Sequence, residues 1–301
     1  VLAAGMSGKP HIPDFAGRTR FRGEQHDSAA HPGPEAWRGK RAVIIGSNNS
    51  AHDIAQALWE HDAQVTMVQR SSTLVVKAET LHEHARKPLY SQEALEAGTD
   101  HHKADRILAA TPFAIMPDQA RPVYETIRRV DADFYAALER AGFRLDFGED
   151  GSGLAMKYLR RGSGYYIDVG ASQLIIDGEI ALAQGAVREI TEQAVVLETG
   201  ETLPADLIVY ATGYGPMTGW AADLIGQDVA ERVGLVWGLG SGTANDPGPW
   251  EGELRNMWKP MPQEALWFQG GNLQQARFYS LILALQLKAR MEGMPTPVYD
   301  G

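Results

Sequence analysis

The stretch RAVIIGSNNSAHDIAQAL, residues 41–58, constrains the fold more than any other part of the 301-residue chain. A continuous apolar run ends at Gly46 and a turn of small residues follows. Over residues 50–61 the apolar positions Ile54, Ala55, Leu58 and Trp59 then recur at helical spacing. AQVTMVQR, residues 63–70, reads as a second strand. Strand, helix and strand of this length make a βαβ unit, with parallel strands and a right-handed crossover.

The start of such a helix presents unpaired amide donors and the positive end of the helix dipole, so it favours a phosphate. Gly46 allows the tight turn, and Ala51 is small enough for helix and strand to pack closely. Asn48 occupies the place where a dinucleotide turn usually has its second glycine; asparagine tolerates the left-handed backbone region expected there. Gly46, Ser47, Asn48, Asn49, Ser50 and Ala51 are the candidate pyrophosphate cradle. After the second strand the chain reads Val68-Gln69-Arg70-Ser71-Ser72, with no carboxylate to bind a ribose 2′-hydroxyl. Arg70, Ser71 and Ser72 instead suit a 2′-phosphate, where a charge-assisted hydrogen bond contributes about 1.5–3 kcal/mol. NADPH is therefore expected over NADH.

Composition removes several other classes. The net charge of −10 offers no basic field, so neither nucleic acid nor an anionic membrane is an expected partner. The absence of cysteine excludes disulfides, thiolate nucleophiles, Cys-ligated metals and the redox pair of a disulfide reductase. It fits a reducing, cytoplasmic setting. YSLILALQL is too short to span a bilayer. No tyrosine has a lysine four residues on, as a short-chain dehydrogenase would require, and there is no kinase-type P-loop. His82, His84, His101 and His102 lack metal-site spacing and read as surface histidines, so no metal is expected.

Elsewhere, residues 1–38 are loop-rich, and VLAAGMSGKPHIP reads as the end of a buried strand entering a Gly/Pro turn. This makes residue 1 an expected cut within a longer protein. Residues 79–146 read as mostly helical, with amphipathic segments at 121–130 and 131–141. Strands are expected at 165–170 and 178–182, then a hairpin around TGET and a buried strand at 207–212. A helix over 272–290 is expected to pack densely through Leu281, Leu283, Leu285 and Leu287. The class is α/β with a helical insert.

Two further motifs bracket the turn. FRGEQH, with Phe21, Gly23 and His26, precedes it, and YATGYG, residues 210–215, closes the last buried strand. In this order the three resemble the class B flavin-dependent monooxygenases: flavin-containing monooxygenases, plant-type indole-pyruvate monooxygenases and Baeyer–Villiger enzymes. The resemblance runs over essentially the whole chain. The Baeyer–Villiger pattern has an aromatic residue before its proline, whereas here Ala30 and His31 precede Pro32; hydroxylating or heteroatom-oxidising branches fit better.

The resemblance implies a Rossmann-like, FAD/NAD(P)-binding fold of two dinucleotide domains. It also implies an earlier glycine-rich turn for FAD, which the sequence does not supply. GLGSGT, 238–243, runs into Ala-Asn-Asp-Pro-Gly-Pro, and GEDGSGLA follows no buried strand. Residues 1–5 resemble a later strand of the FAD domain. The expected organisation is a remnant of the FAD domain and linker (1–38), then an NADPH-binding domain (39–210, with a helical insert over about 79–150), then a return to the FAD domain (211–301).

The implied function is an FAD- and NADPH-dependent monooxygenase, here a fragment. NADPH reduces the flavin, dioxygen adds to it, and the flavin hydroperoxide oxygenates a small organic substrate. The chain's implied partners are that substrate, dioxygen and a missing N-terminal FAD-binding segment, with oligomer formation left open. The protein positions cofactors and excludes water, so no catalytic residue is singled out. The resemblance places Ala211, Thr212, Gly213 and Tyr214 at the domain crossing near nicotinamide or flavin, and gives His26 a hinge or cofactor-positioning role. Gly271 and Asn272, at the head of the last helix, fall near the flavin. The alternatives are an NADPH-binding module without flavin and a flavin-dependent reductase without oxygenation.

Overall fold

The computed structural model describes residues 1–239 and 252–298; residues 240–243 of GLGSGT and part of the 211–301 segment lie outside them. In chain order come β1 (Glu24–Asp27), β2 (Arg41–Ile45), α1 (Asn49–Glu60), β3 (Gln64–Gln69) and β4 (Leu74–Lys77). A helical stretch follows: α2 (Ala78–Leu81), α3 (Gln92–Glu96), α4 (His101–Ala109), α5 (Met116–Val130), α6 (Ala132–Arg140) and α7 (Gly153–Arg161). Next are β5 (Tyr165–Asp168), α8 (Ala171–Ile176), β6 (Ala181–Gln184), β7 (Val187–Ile190), β8 (Ala194–Leu197), β9 (Thr202–Pro204) and β10 (Leu207–Tyr210). The chain continues through α9 (Thr218–Leu224), α10 (Gln227–Val233) and α11 (Leu273–Met291).

Five parallel strands form the central sheet in the order β1-β10-β2-β3-β6. Its inner strands β2 and β10 are near-continuous apolar runs because both faces are covered, whereas the edge strand β1 is polar. On one face Ala42, Ile44, Val65 and Met67 meet Ala51, Ala55 and Leu58 of α1 and Ile175 of α8. On the other, Val43, Ile45, Val68 and Ile208 meet Ile190, Val195 and Leu197 of the antiparallel β7-β8-β9 sheet. Burying a side chain such as Leu58 contributes roughly 1.5–3 kcal/mol.

The chain leaves β2 through α1 toward β3, while β10 pairs with the opposite side of β2, with Tyr210 in register with Ile45. The carboxyl ends of β2 and β10 thus flank a topological switch point, where open α/β sheets form a ligand crevice.

A second core gathers Leu2, Met6, Met156, Leu159, Met217, Val229, Trp237, Trp258 and Phe268. Two of the chain's crossings between it and the sheet are bonded to each other. Gly8 N–H donates to Gly215 O, Gly215 N–H to Lys9 O, and His11 N–H to Gly213 O, at 2.8–2.9 Å. A Cβ on Gly8 would lie 2.0 Å from the Pro216 carbonyl oxygen, so only glycine fits this crossing without rearrangement.

Some elements differ from the sequence reading. β6 begins at Ala181, because Gly178, at φ 77°, still belongs to the turn after α8. Residues 1–5 form no strand; Leu2 makes a single parallel bridge to Phe268. The aromatic residues Tyr124 and Tyr135 of the insert are core, packed with Leu74 and Val76. α11 forms as expected but packs through Leu283, while Leu281 and Leu285 are 62% and 67% exposed. Leucines spaced two apart point around a helix, not along one face.

Candidate functional site

At the switch point Gly46 has φ 137°, and a Cβ added there would lie 2.3 Å from the Ala211 carbonyl oxygen. Only glycine lets β2 turn this close to β10. Asn48 is extended, at φ −102° and ψ −168°, and forms the N-cap of α1. The left-handed conformation expected of it is not adopted, because Asn48 precedes the helix and needs no glycine-like turn. Thr73 fixes this corner: its hydroxyl donates to Asn48 Oδ1 at 3.4 Å and lies 2.8 Å from Ser47 Oγ.

The six turn residues have different surroundings. Gly46, Ser47 and Asn48 line the cleft. Asn49 is occupied elsewhere: its Oδ1 accepts the Ile167 N–H at 3.0 Å, which ties α1 to β5. Ala51 is fully buried against the sheet, and Ser50 is half-buried in the first turn of α1. Beneath the turn His52 is fully buried and stacked on Tyr166 at 3.9 Å. Its Nδ1 lies 3.1 Å from Asn48 O. Burial lowers the His52 pKa to about 4, against the opposing pull of the Asn48 carbonyl and Asp168.

Two adjoining cavities, of about 790 and 340 Å³, share Asn48, Arg70, Ser71, Ser72, Gly164 and Thr212 in their linings. The smaller extends over Pro13, Phe15, Ala186 and Val187, an apolar end that sequence reasoning does not reach. The larger runs past Gly213 and Tyr214 to Met6 and Trp237. Ala211 lines the smaller cavity; Thr212 Oγ1 donates to His11 O at 2.6 Å, and Tyr214 Oη lies 3.4 Å from Ser28 Oγ.

Four cations line this cleft: Arg70, Lys157, Arg160 and Arg161. The last three come from α7, which nothing in the sequence connects with the site. Each is paired with the preceding loop: Lys157 with Asp146 at 2.6 Å, Arg160 with Asp150 at 2.7 Å and Arg161 with Glu149 at 2.8 Å. The Arg160 guanidinium, the foremost cause, holds Asp150 well below the usual carboxylate range. The GEDGSGLA segment is therefore an ion-paired loop. Arg70 has no side-chain partner among the described residues, so it is the cleft's available cation.

The remaining candidates lie apart. His26, on the edge strand β1, contacts Glu24 Oε2 at 3.1 Å and lines neither cavity. Gly271 and Asn272 also lie outside both linings. There the Asn272 Oδ1 accepts the Gln275 N–H at 2.8 Å, and the Asn272 N–H donates to Tyr158 Oη at 2.7 Å. The α11 terminus is thus closed by a capping box. Among the described residues no helix is long and apolar enough to cross a membrane.

The chain's relationships agree with this geometry. A family model described as pyridine nucleotide-disulphide oxidoreductase matches residues 1–114. The chain is 26% identical over 239 residues to indole-3-pyruvate monooxygenase YUCCA1 of Oryza sativa subsp. japonica, covering 78% of this chain and 51% of that protein. It is 41% identical over 78 residues to flavin-containing monooxygenase 2 of Homo sapiens, covering 25% of this chain and 15% of that protein. A solved oxidized steroid monooxygenase bound to NADP shares the fold at a TM-score of 0.58 and 18% identity, over 98% of this chain and 62% of that one. The chain spans about half the length of the first of these relatives. The dinucleotide turn at the switch point, the flanking motifs in family order and these sequence relatives together support a relationship to the class B flavin-dependent monooxygenases.

Proposed function

We propose that this chain supplies the NADPH-binding part of an FAD- and NADPH-dependent monooxygenase that acts on a small organic substrate with dioxygen. The observation that carries the NADPH reading is Arg70, without a side-chain partner among the described residues in a cleft whose other three cations are all neutralised.

The residues present fit one dinucleotide. Gly46 gives the backbone approach that a pyrophosphate needs, and the first amides of α1 face that turn. Arg70, Ser71 and Ser72 would hold a 2′-phosphate, and Phe15, Ala186 and Val187 an adenine. Thr212, Gly213 and Tyr214 would then border the nicotinamide end, toward Trp237. When bound, the nicotinamide supplies hydride and the flavin supplies oxygen activation. The chain's own work is to orient the coenzyme and to shield the far end of the cleft from water.

The described residues do not fit a second dinucleotide in the same way. The turn after β2 is the one dinucleotide turn among them, and at the α11 terminus the Asn272 and Gln275 amides are already bonded within the protein. We assign FAD binding mainly to residues beyond these 301, in keeping with the half-length match to the relatives. On this reading residues 1–38 and 211–301 belong with the flavin domain and 39–210 form the NADPH domain. The shared core of Leu2, Met6 and Phe268 supports this grouping. His26, bound to Glu24 at the sheet edge, would act on cofactor position only through β1.

Equilibrium titration of Arg70→Ala with NADPH and NADH tests the reading. Loss of roughly ten- to a hundredfold in NADPH affinity, with NADH little changed, is expected. Equal loss of both would remove Arg70 from phosphate recognition.

A further inference from the structure

We propose that Asp146 tempers the coenzyme selectivity of this cleft by holding Lys157 in a closed ion pair and by placing a carboxylate beside Ser72. The inference rests on the nucleotide reading above and goes beyond it, to a residue far from the βαβ unit in sequence.

Asp146, Lys157, Arg70, Ser71 and Ser72 all line the larger cavity. Lys157 Nζ lies 2.6 Å from Asp146 Oδ1, and the two side chains are only 18% and 26% exposed, so water screens them weakly. Asp146 also accepts the Gly148 N–H at 2.9 Å, which fixes the carboxylate. Burial opposes its charge, but Lys157, the Gly148 amide and the Ser72 hydroxyl outweigh that and keep it ionised.

In an NAD site, an acidic residue after the second strand binds the ribose hydroxyls and repels a 2′-phosphate. The sequence has Arg70-Ser71-Ser72 there instead, yet the fold brings a carboxylate to the same wall from residue 146. A 2′-phosphate would therefore meet attraction from Arg70, opposition from Asp146, and a lysine whose charge is already spent. Asp146→Asn keeps an oxygen acceptor for the Gly148 amide, removes the opposing charge and frees Lys157.

The test is calorimetric titration at low ionic strength with 2′,5′-ADP and 5′-AMP, probes that differ only in the 2′-phosphate. Asp146→Asn is expected to tighten 2′,5′-ADP by about tenfold and leave 5′-AMP within about twofold. Lys157→Gln alone, which leaves the Asp146 carboxylate unpaired, should weaken 2′,5′-ADP by about three- to tenfold, and added to Asp146→Asn it should cancel the gain. An unchanged ratio of the two probes in Asp146→Asn overturns the inference, as does an unchanged ratio in Lys157→Gln alone. The second arm needs no change at Asp146. Arg70→Ala separates the two levels: if it leaves the ratio unchanged, the nucleotide reading itself fails. If it lowers the ratio while Asp146→Asn is inert, only this inference falls.

Discussion

Gly46 and Ala211 meet at the carboxyl ends of β2 and β10 so closely that a Cβ on Gly46 would lie 2.3 Å from the Ala211 carbonyl oxygen. This approach places the α1 terminus against the YATGYG segment and brings two motifs, distant in sequence, to one crevice.

Gly46→Ala should therefore lose about 1–3 kcal/mol of stability, from both a clash with backbone and a φ of 137°. Gly213 is a matched control: its φ is 93°, but a Cβ there meets nothing within 4 Å. Gly213→Ala should cost only the backbone strain, about 1–2 kcal/mol. Urea unfolding compares the two, and equal nucleotide affinity in Gly46→Ala and the parent would deny the close approach any role in binding.

Arg277 reaches from α11 to Asp105 on α4 with two hydrogen bonds of 2.7 Å, and Tyr90 donates to the same carboxylate at 2.8 Å. Asp105 is buried, and the Arg277 bond, the largest influence, holds its pKa below the ordinary carboxylate value. Its stabilisation is full above the unfolded carboxylate pKa and fades as pH falls through the lower folded value. Arg277→Met should cost about 1–3 kcal/mol near neutrality and move acid unfolding to higher pH. A circular-dichroism acid titration with an unmoved midpoint would show that this pair does not secure the insert to α11.

His52 acts on the same acid limb, nearer to neutrality. Its folded pKa, lowered by burial to about 4, lies below the ordinary value of 6.5, so the unfolded chain binds the extra proton first as pH falls. Stability from the neutral ring is complete above about pH 6.5 and is lost between there and about pH 4, on the order of 3 kcal/mol in all. His52→Phe, which keeps a ring against Tyr166, should flatten that slope. Denaturant unfolding at pH 7 and pH 5 checks it, and an equal pH dependence in both proteins would contradict the assignment.

The βαβ unit is legible in the sequence because its signal is local. RAVIIG, the helix after it and QVTMVQR carry their periodicity within a few residues, and Arg70 sits at a position fixed by the end of β3. What tertiary contacts decide is hidden. Nothing near Asn49 in sequence shows that its carboxamide serves the Ile167 amide, or that the charges of 146–150 are spent on α7. Asn48 departs from expectation for a different reason: the analogy to a glycine suggests a left-handed residue, whereas an N-cap is extended. The leucines of α11 suggest a packed helix by number, but their spacing distributes them around it.

The most direct measurement is a crystal structure of the chain with NADP⁺. The pyrophosphate is expected on the turn at Gly46–Asn48, the 2′-phosphate against the Arg70 guanidinium and the nicotinamide toward Tyr214 and Trp237. Nucleotide density with the 2′-phosphate away from Arg70, or in the separate cavity beside Trp258 and Tyr279, would contradict that placement.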